Sequence, residues 1–260
     1  MGRIQTAFSE LKRQGKKGFI PFITAGDPDL NTTAELLVEL SGATVIELGV
    51  PFSDPMADGP VIQRASERAL KHSIGVGDIL KVVATARREI ETPIILFSYF
   101  NPLLQFGIKR LATEAKAAGV DGVLVTDLSP EEAGEFESEL RANDLDMIFL
   151  IAPTSTDERL KLVAQHARGF IYAVSRAGVT GVRTSVSAEA EKLVNRMRQF
   201  CPLPIAVGFG ISNREQVRDV QRYADAVVIG SAIVSEIERL QGAPASLAKG
   251  IGGFVRQFSD

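Results

Sequence analysis

The sequence predicts a closed (β/α)8 barrel, and two observations lead to this prediction. Eight short runs of apolar and β-branched residues alternate with longer segments whose apolar residues recur at helical spacing. The chain has 260 residues without a linker-like change of composition, and one such barrel commonly needs about this length. We therefore expect a single α/β domain over residues 1–260, a TIM barrel with an additional N-terminal helix.

The predicted elements begin with that amphipathic helix, in which Ile4, Phe8 and Leu11 share one face. Strand-like runs follow at residues 18–24, 44–48, 93–98, 122–126, 146–151, 169–173, 204–207 and 226–229. Helical segments lie between and after them at residues 30–40, 61–71, 76–90, 108–118, 131–142, 157–165, 188–199, 213–221 and 232–258. Runs such as PIILF are almost wholly apolar, which is typical of strands covered on both faces. An open doubly wound sheet is the alternative, but residues 25–29 match a dinucleotide-binding turn poorly.

Composition excludes several classes of function. The formal net charge of -3 leaves no basic footprint, which argues against nucleic acid or an anionic membrane as partner. No apolar run approaches the length of a membrane span. Cys201 is the only cysteine, so an internal disulfide is impossible and a reducing compartment is expected. With only two histidines, His72 and His166, a histidine-rich metal site is not expected.

The segment IELGVPFSDPMADGP, residues 46–60, is the most informative part of the chain. Glu47 falls in an apolar run that predicts a buried strand, and Asp58 follows in a loop rich in proline and glycine. A buried, unpaired carboxylate is costly, so it shifts its pKa or finds a partner. Glu47 is therefore a candidate for acid/base chemistry. Asp54, between Ser53 and Pro55, is expected only to shape the loop.

Other polar residues follow the predicted strands, at the barrel face where active sites lie. Tyr99 and Asn101 come after the third strand and Asp127 after the fourth, although a helix N-cap or loop carboxylate explains Asp127 equally well. The last three loops are rich in glycine, at residues 175–181, 208–212 and 230–231. Glycine lets backbone N–H groups approach an anion, and barrels often hold phosphate after their last two strands.

Four apolar residues lie on or next to the same strand ends: Phe22, Phe97, Leu124 and Phe209. Taken singly, each is best explained as core. Together they also fit a slot for a flat, apolar part of a substrate.

The chain resembles the alpha subunits of tryptophan synthase. The match covers nearly the whole chain and includes, in order, PFITAGDP, IELGVPFSDPMADG, YFNP, DGVLVTDLSPEE, SRAGVTG, GFGIS and VIGSAIV. The resemblance implies a lyase that cleaves indole-3-glycerol phosphate to indole and glyceraldehyde 3-phosphate, with Glu47 and Asp58 as the catalytic pair. The phosphate would be held by Gly181, Gly210, Gly230 and Ser231. The indole would contact Phe22, Phe97, Leu124 and Phe209, while Thr180 fastens a loop over Asp58 and Tyr99 contacts the substrate near the acids.

The resemblance also implies a partner. This is a beta subunit that carries pyridoxal phosphate in an α2β2 complex, whereas the alpha chain itself has no cofactor. Residues 51–58, 101–106 and 175–184 would be loops facing that subunit. Phe52, Leu103 and Leu104 are expected as exposed apolar residues there, unless an isolated barrel buries their side chains. The implied location is the cytoplasm, or the plastid stroma in a photosynthetic eukaryote.

Two other functions fit parts of the pattern. An isomerase or aldolase acting on a small sugar phosphate would keep the barrel and the phosphate site, but a Schiff-base aldolase needs a lysine at a strand end, and none of the eight predicted strands ends in one. A regulatory subunit would bind a ligand without converting it. Release of indole by the isolated chain distinguishes the lyase from such a binding module.

Overall fold

The computed structural model describes residues 2–174, 188–208 and 210–259. Eight parallel strands close into a barrel in chain order, with the last strand paired to the first. The strands are β1 (Gly18–Thr24), β2 (Ile46–Gly49), β3 (Ile94–Ser98), β4 (Gly122–Val125), β5 (Asp146–Ile151), β6 (Ile171–Val174), β7 (Ile205–Gly208) and β8 (Ala226–Ile229). The predicted TIM barrel with an additional N-terminal helix is confirmed.

Helices follow each strand and cover the outside of the barrel, and one further helix, α1, precedes β1. They are α1 (Arg3–Gln14), α2 (Leu30–Glu39), α3 (Pro60–Leu70), α4 (Val76–Ala86), α5 (Phe100–Phe106), α6 (Ile108–Ala118), α7 (Gly134–Ala142), α8 (Asp157–His166), α9 (Ala188–Met197), α10 (Arg214–Gln221), α11 (Ser231–Leu240) and α12 (Pro244–Ser259). Several begin where a polar side chain accepts a hydrogen bond from a free backbone N–H of the first turn. Asp29, Thr156 and Asn213 cap α2, α8 and α10 in this way.

The barrel interior is filled by side chains from alternate strand positions. Ile20, Ile95, Leu124 and Val228 belong to this buried core. The parallel register places Glu47 of β2 between Phe22 of β1 and Ile95 of β3. An acidic side chain therefore occupies an interior position that apolar residues fill on the neighbouring strands.

The N-terminal helix closes the end of the barrel where the strands begin. Ile4 and Phe8 of α1 are buried and belong to the same cluster as the interior side chains. The ring centroid of Phe8 lies 5.8 Å from that of Phe170, which directly precedes β6. Helix α1 does not cover the opposite end of the barrel, where the strands finish, so a substrate can bind there.

The segment after β3 differs from its prediction as a loop. Residues 100–106 form the short helix α5, whose first residue, Phe100, donates its backbone N–H to the Asp127 carboxylate at 2.7 Å. Pro102 is tolerated because it lies in the first turn of the helix. Seven residues are too few to show helical periodicity, so the sequence pattern did not reveal this helix.

The C-terminal segment also differs from its prediction as one helical stretch. Residues 232–258 are divided between α11, which ends at Leu240, and α12, which begins at Pro244. Gly242 lies between them, and proline favours the first position of a helix because it has no N–H to leave unpaired.

Two further findings concern the described ranges only. None of the helices there combines the length and the apolar character that crossing a bilayer requires. Within the same ranges, histidine, cysteine, aspartate and glutamate side chains form no group of three or more that could hold a metal ion.

Candidate active site

Glu47 points into the barrel from β2 and is completely buried. Among the residues that the structure describes, neither of its carboxyl oxygens has a hydrogen-bond partner. Burial raises the pKa of Glu47 well above its ordinary value of 4.5, because the charged form would lose its hydration without gaining a partner. Burial therefore favours the protonated form of the side chain, which is the form that a general acid needs.

Glu47 is expected to make the protein less stable as the pH rises. Above about pH 4.5 the unfolded chain releases the Glu47 proton and the folded chain keeps it, so rising pH favours the unfolded state until the raised folded pKa is passed. Glu47→Gln removes this titration. We expect the free energy of unfolding of the variant, minus that of the wild type, to increase with pH above about 4.5, by at most about 1.4 kcal/mol per pH unit.

Urea unfolding of both proteins at a series of pH values from 4 to 8 measures this difference. Other groups titrate in both proteins and cancel in the comparison. A difference that stays constant over this range would show that Glu47 titrates alike in the folded and unfolded chains.

Asp58 lies in the loop between β2 and α3, one residue before the N-cap Gly59. Burial raises the pKa of Asp58, and a hydrogen bond from the Tyr99 hydroxyl opposes that rise by favouring the carboxylate. The same hydroxyl accepts the backbone N–H of Ala57 at 2.9 Å. On the other side, the Gln63 side-chain amide donates to the Asp58 carbonyl oxygen at 2.9 Å. The loop is thus held to the barrel rim by Tyr99 and to α3 by Gln63.

Burial, together with the nearby Asp58 carboxyl, raises the pKa of Tyr99 to about 12. The Tyr99 hydroxyl is therefore protonated at neutral pH and remains a donor to Asp58. Tyr99 does not line the cavities described next. The structure places it behind the Asp58 loop, where it supports the acid.

Glu47 and Asp58 line one small cavity of about 60 Å³ at the end of the barrel where the strands finish. Phe22 and Phe97 form part of its wall, and their rings meet edge to face with centroids 5.3 Å apart. A larger cavity of about 570 Å³ adjoins it and shares Ala57, Asp58 and Phe97 in its wall. The predicted acids and two of the predicted aromatic residues are therefore brought together.

Three of the predicted phosphate residues also line the small cavity: Gly210, Gly230 and Ser231. Gly210 has a φ of +76°, a conformation that other residues rarely adopt. Gly230 caps α11 and Ser231 is its first residue, so the backbone N–H groups that have no partner within that helix lie at its start, where both residues line the cavity. No lysine or arginine is among the described residues of this cavity wall.

The remaining predicted site residues have other positions. Leu124 is fully buried in the barrel interior and lines neither of the two cavities. Thr180, Gly181 and Phe209 lie outside the described residues.

Tyr172 is a cavity residue that the sequence analysis missed. It is buried on β6, lines the small cavity with Glu47 and Asp58, and places its ring centroid 6.4 Å from that of Phe97. Burial, with smaller effects of the two acids, raises the pKa of the Tyr172 hydroxyl well above its ordinary value. The sequence feature that could have identified Tyr172 is its hydroxyl group within the otherwise apolar run FIYAV. Glu47 was identified by the same kind of feature, a polar group in an apolar run.

The apolar residues near the Asp58 loop differ in exposure. Leu104 is 46% exposed and Phe52 is partly buried against the Tyr99 ring, at 5.1 Å between centroids. The expectation that Leu103 is exposed was wrong, because the folding of residues 100–106 into α5 turns its side chain into the core. Met56, not predicted, is 79% exposed.

Comparison with known proteins gives consistent matches along the chain. The family model described as tryptophan synthase alpha chain matches residues 8–258. The tryptophan synthase alpha chain of Geotalea uraniireducens is 50% identical over 257 residues, which are 98% of this chain and 96% of that protein.

Solved structures agree with the sequence comparison. Tryptophan synthase subunit alpha from Legionella pneumophila has a TM-score of 0.90 and 39% identity, covering 100% of this chain and 97% of that chain. A chain from the tryptophan synthase α2β2 complex of Pyrococcus furiosus has a TM-score of 0.84 and 41% identity, covering 92% of this chain and 98% of that one. The protein described here therefore belongs to the family of tryptophan synthase alpha chains.

Proposed function

We propose that Glu47 and Asp58 catalyse the retro-aldol cleavage of indole-3-glycerol phosphate in this protein. The chain is a lyase of the alpha reaction, which releases indole and glyceraldehyde 3-phosphate. The observation that supports the two assignments is the Glu47 carboxyl, which is fully buried and without a described partner in a cavity that Asp58 also lines. Perturbed carboxyls in a cleft of this kind are typical of catalytic sites.

Glu47 acts as acid and then as base. Its carboxyl first donates a proton to C3 of the indole ring, so that the ring nitrogen carries the positive charge. The resulting carboxylate then accepts the proton of the hydroxyl on the carbon attached to C3. That carbon becomes the aldehyde of glyceraldehyde 3-phosphate, and the electrons of the broken carbon–carbon bond return to the ring as indole. One raised pKa serves both steps, because the carboxyl has to exist in both forms near neutral pH.

Asp58 stabilises the positive charge that forms on the ring. As a carboxylate, it accepts a hydrogen bond from the indole N–H, and this interaction strengthens as C3 is protonated. The hydrogen bond from Tyr99 favours the charged form of Asp58 despite its partial burial. Its position in a loop allows Asp58 to complete the site when the substrate binds.

The phosphate binds at the start of α11. Gly230 and Ser231, at the start of α11, line the cavity, where the first-turn N–H groups have no partner within the helix and the helix dipole favours an anion. Gly210 and Gly181 complete this site in the proposal. Phe22, Phe97, Leu124 and Phe209 are assigned to the indole, and Thr180 to fastening the loop over Asp58; of these, only Phe22 and Phe97 line the small cavity in the described residues.

Release of indole from indole-3-glycerol phosphate by the purified chain tests the proposed reaction. Indole and glyceraldehyde 3-phosphate should form in equal amounts, with and without an added beta subunit. A pure binding module would release neither product, and an isomerase would convert a sugar phosphate without releasing indole. Absence of indole in both assays would contradict the proposal.

We also propose that the chain pairs with a pyridoxal-phosphate beta subunit in an α2β2 complex. The similar Pyrococcus furiosus chain comes from a tryptophan synthase α2β2 complex, and no cofactor is needed by the alpha chain. Met56 and Leu104 are exposed apolar residues, and Met56 lines the larger cavity, at the end of the barrel where indole would leave. Gel filtration with a beta subunit should give co-elution, and separate elution would contradict the partnership.

Two further assignments belong to the proposal. The cytoplasm is the proposed location, supported by Cys201 as a free, buried thiol. Residues 1–260 are proposed as one domain, supported by the closure of all eight strands into the same barrel.

A further inference from the structure

Four charged side chains outside the cavity form a connected set of ion pairs, called here the α3–α11 network: Asp27, Arg64, Arg68 and Glu238. The Arg68 guanidinium binds both carboxylate oxygens of Asp27 at 2.8 Å and donates to Glu238 at 2.9 Å. Arg64 binds both oxygens of Glu238 at 2.8 Å. The network therefore joins α3 to α11 and to the loop after β1.

The two helices of this network carry the two ends of the proposed substrate site. Helix α3 begins directly after Asp58 and Gly59, and α11 begins at Ser231. Glu238 lies two turns along α11, about 10 Å from its start at 1.5 Å per residue. The network thus links the helices well behind the cavity, and none of its four members lines the cavity wall.

Apolar packing between the same helices is limited. The buried cluster there consists of Phe22, Ala65 and Val234, with Val61 and Ile62 partly buried beside it. Side chains of this kind resist separation of the helices but leave sliding along the contact easier, because apolar contact is not directional. Paired guanidinium and carboxylate groups have a fixed geometry and resist sliding.

Asp27 gives the network its rigidity. Its side chain is completely buried, and that of Arg68 is only 18% exposed. Burial raises the pKa of Asp27 while Arg68 opposes that rise, so Arg68 is the charged partner of this carboxylate, which also accepts a longer hydrogen bond of 3.5 Å from the Gln241 amide. Buried pairs of this type add little net stability compared with apolar side chains, although removing one partner is costly. The Arg68–Asp27 pair is therefore better explained by a role in fixing the position of α3 than by a contribution to the free energy of unfolding.

We propose that the α3–α11 network sets the distance between Asp58 and the phosphate-binding start of α11, with Arg68 and Glu238 as positioning residues. This inference rests on the proposed function. Indole-3-glycerol phosphate spans both ends of the site, whereas glyceraldehyde 3-phosphate occupies only the phosphate end. Loss of the network therefore impairs the reaction of the spanning substrate and leaves binding of the short product intact.

Glu238→Gln and Arg68→Lys test the inference, with Glu236→Gln as control. Glu236 is also on α11, but its ion pair is with Arg239 of the same helix. We expect both network variants to lower kcat/KM for indole-3-glycerol phosphate about tenfold, since misplacement by 1 Å can cost about 100-fold. Inhibition by glyceraldehyde 3-phosphate should stay within twofold of the wild type, and the control should match the wild type in both measurements.

A general structural role gives a different result. In that case the variants lower the urea midpoint, while kcat/KM of the folded enzyme stays near the wild-type value or falls together with affinity for glyceraldehyde 3-phosphate. Either outcome overturns the inference. If Arg68→Lys does not fold, Glu238→Gln decides alone, because Glu238 is 32% exposed and its amide variant leaves Asp27 paired. Failure of the proposed function is recognised separately, by a wild-type chain that releases no indole.

Discussion

Glu47→Gln is expected to lower kcat for indole release by about two to four orders of magnitude, the range for loss of a general acid/base. Glutamine has nearly the same shape as a protonated glutamic acid and fits the buried position on β2. It can neither donate a proton to C3 nor accept one from the substrate hydroxyl. The loss should therefore fall on kcat, with little change in KM, because binding of the substrate does not use the lost proton.

Steady-state release of indole measures this effect, and circular dichroism confirms that the variant is folded. Glu137→Gln is a matched control, because Glu137 is another buried glutamate but pairs with Arg141 and His166 on the outside of the barrel. That variant should keep the wild-type kcat. Near-normal turnover by Glu47→Gln would remove Glu47 from the mechanism.

Asp58→Asn is expected to lower kcat by about 100- to 1000-fold, similar to removal of one preorganised group that stabilises transition-state charge. Asparagine keeps the size of the side chain and can accept a hydrogen bond from Tyr99. It has no negative charge to stabilise the positively charged ring. The loss should appear mainly in kcat, because the charge exists only after C3 is protonated.

Tyr99→Phe separates the charge of Asp58 from its placement. This variant keeps the carboxylate but removes both the hydrogen bond to Asp58 and the acceptor for the Ala57 N–H. We expect a smaller loss of kcat/KM, about tenfold, which corresponds to about 1.4 kcal/mol and lies at the lower end of what a hydrogen bond to a charged group contributes. Equal losses for Tyr99→Phe and Asp58→Asn would mean that the charge of Asp58 adds nothing beyond the placement of its loop.

The fold was largely predictable because each element carries its own pattern. The bounds of β1, β5 and β8 agree with the prediction, since a polar or turn residue lies within two positions of each end of these strands. Helix α5 was missed because its seven residues are too few to show helical periodicity, and because the contact at its start is with Asp127, which follows the next strand. The buried position of Leu103 was missed for the same reason.

The site was predictable where a residue conflicts with its surroundings. Glu47 is an acid in an apolar strand, and Asp58 is an acid in a loop that proline and glycine keep irregular. Tyr172 also carries a polar group in an apolar strand, but a hydroxyl is less unusual there than a carboxyl, and the residue was not predicted. Tyr99 and Leu124 follow or occupy strands as expected, but proximity to a strand end does not specify which side chains reach a cavity.

The sequence by itself determined the order of strands and helices, the acidic pair and the glycine-rich strand ends, because periodicity and composition are local properties of the chain. Only the tertiary structure decided that Glu47 is fully buried without a described partner, and that Tyr99 supports Asp58 from behind. It also decided that Arg68 pairs both with Asp27 and with Glu238, which lies 170 residues after Arg68 in the chain. Burial, and pairing between residues far apart in the chain, depend on how the barrel closes. A local sequence pattern does not contain this information.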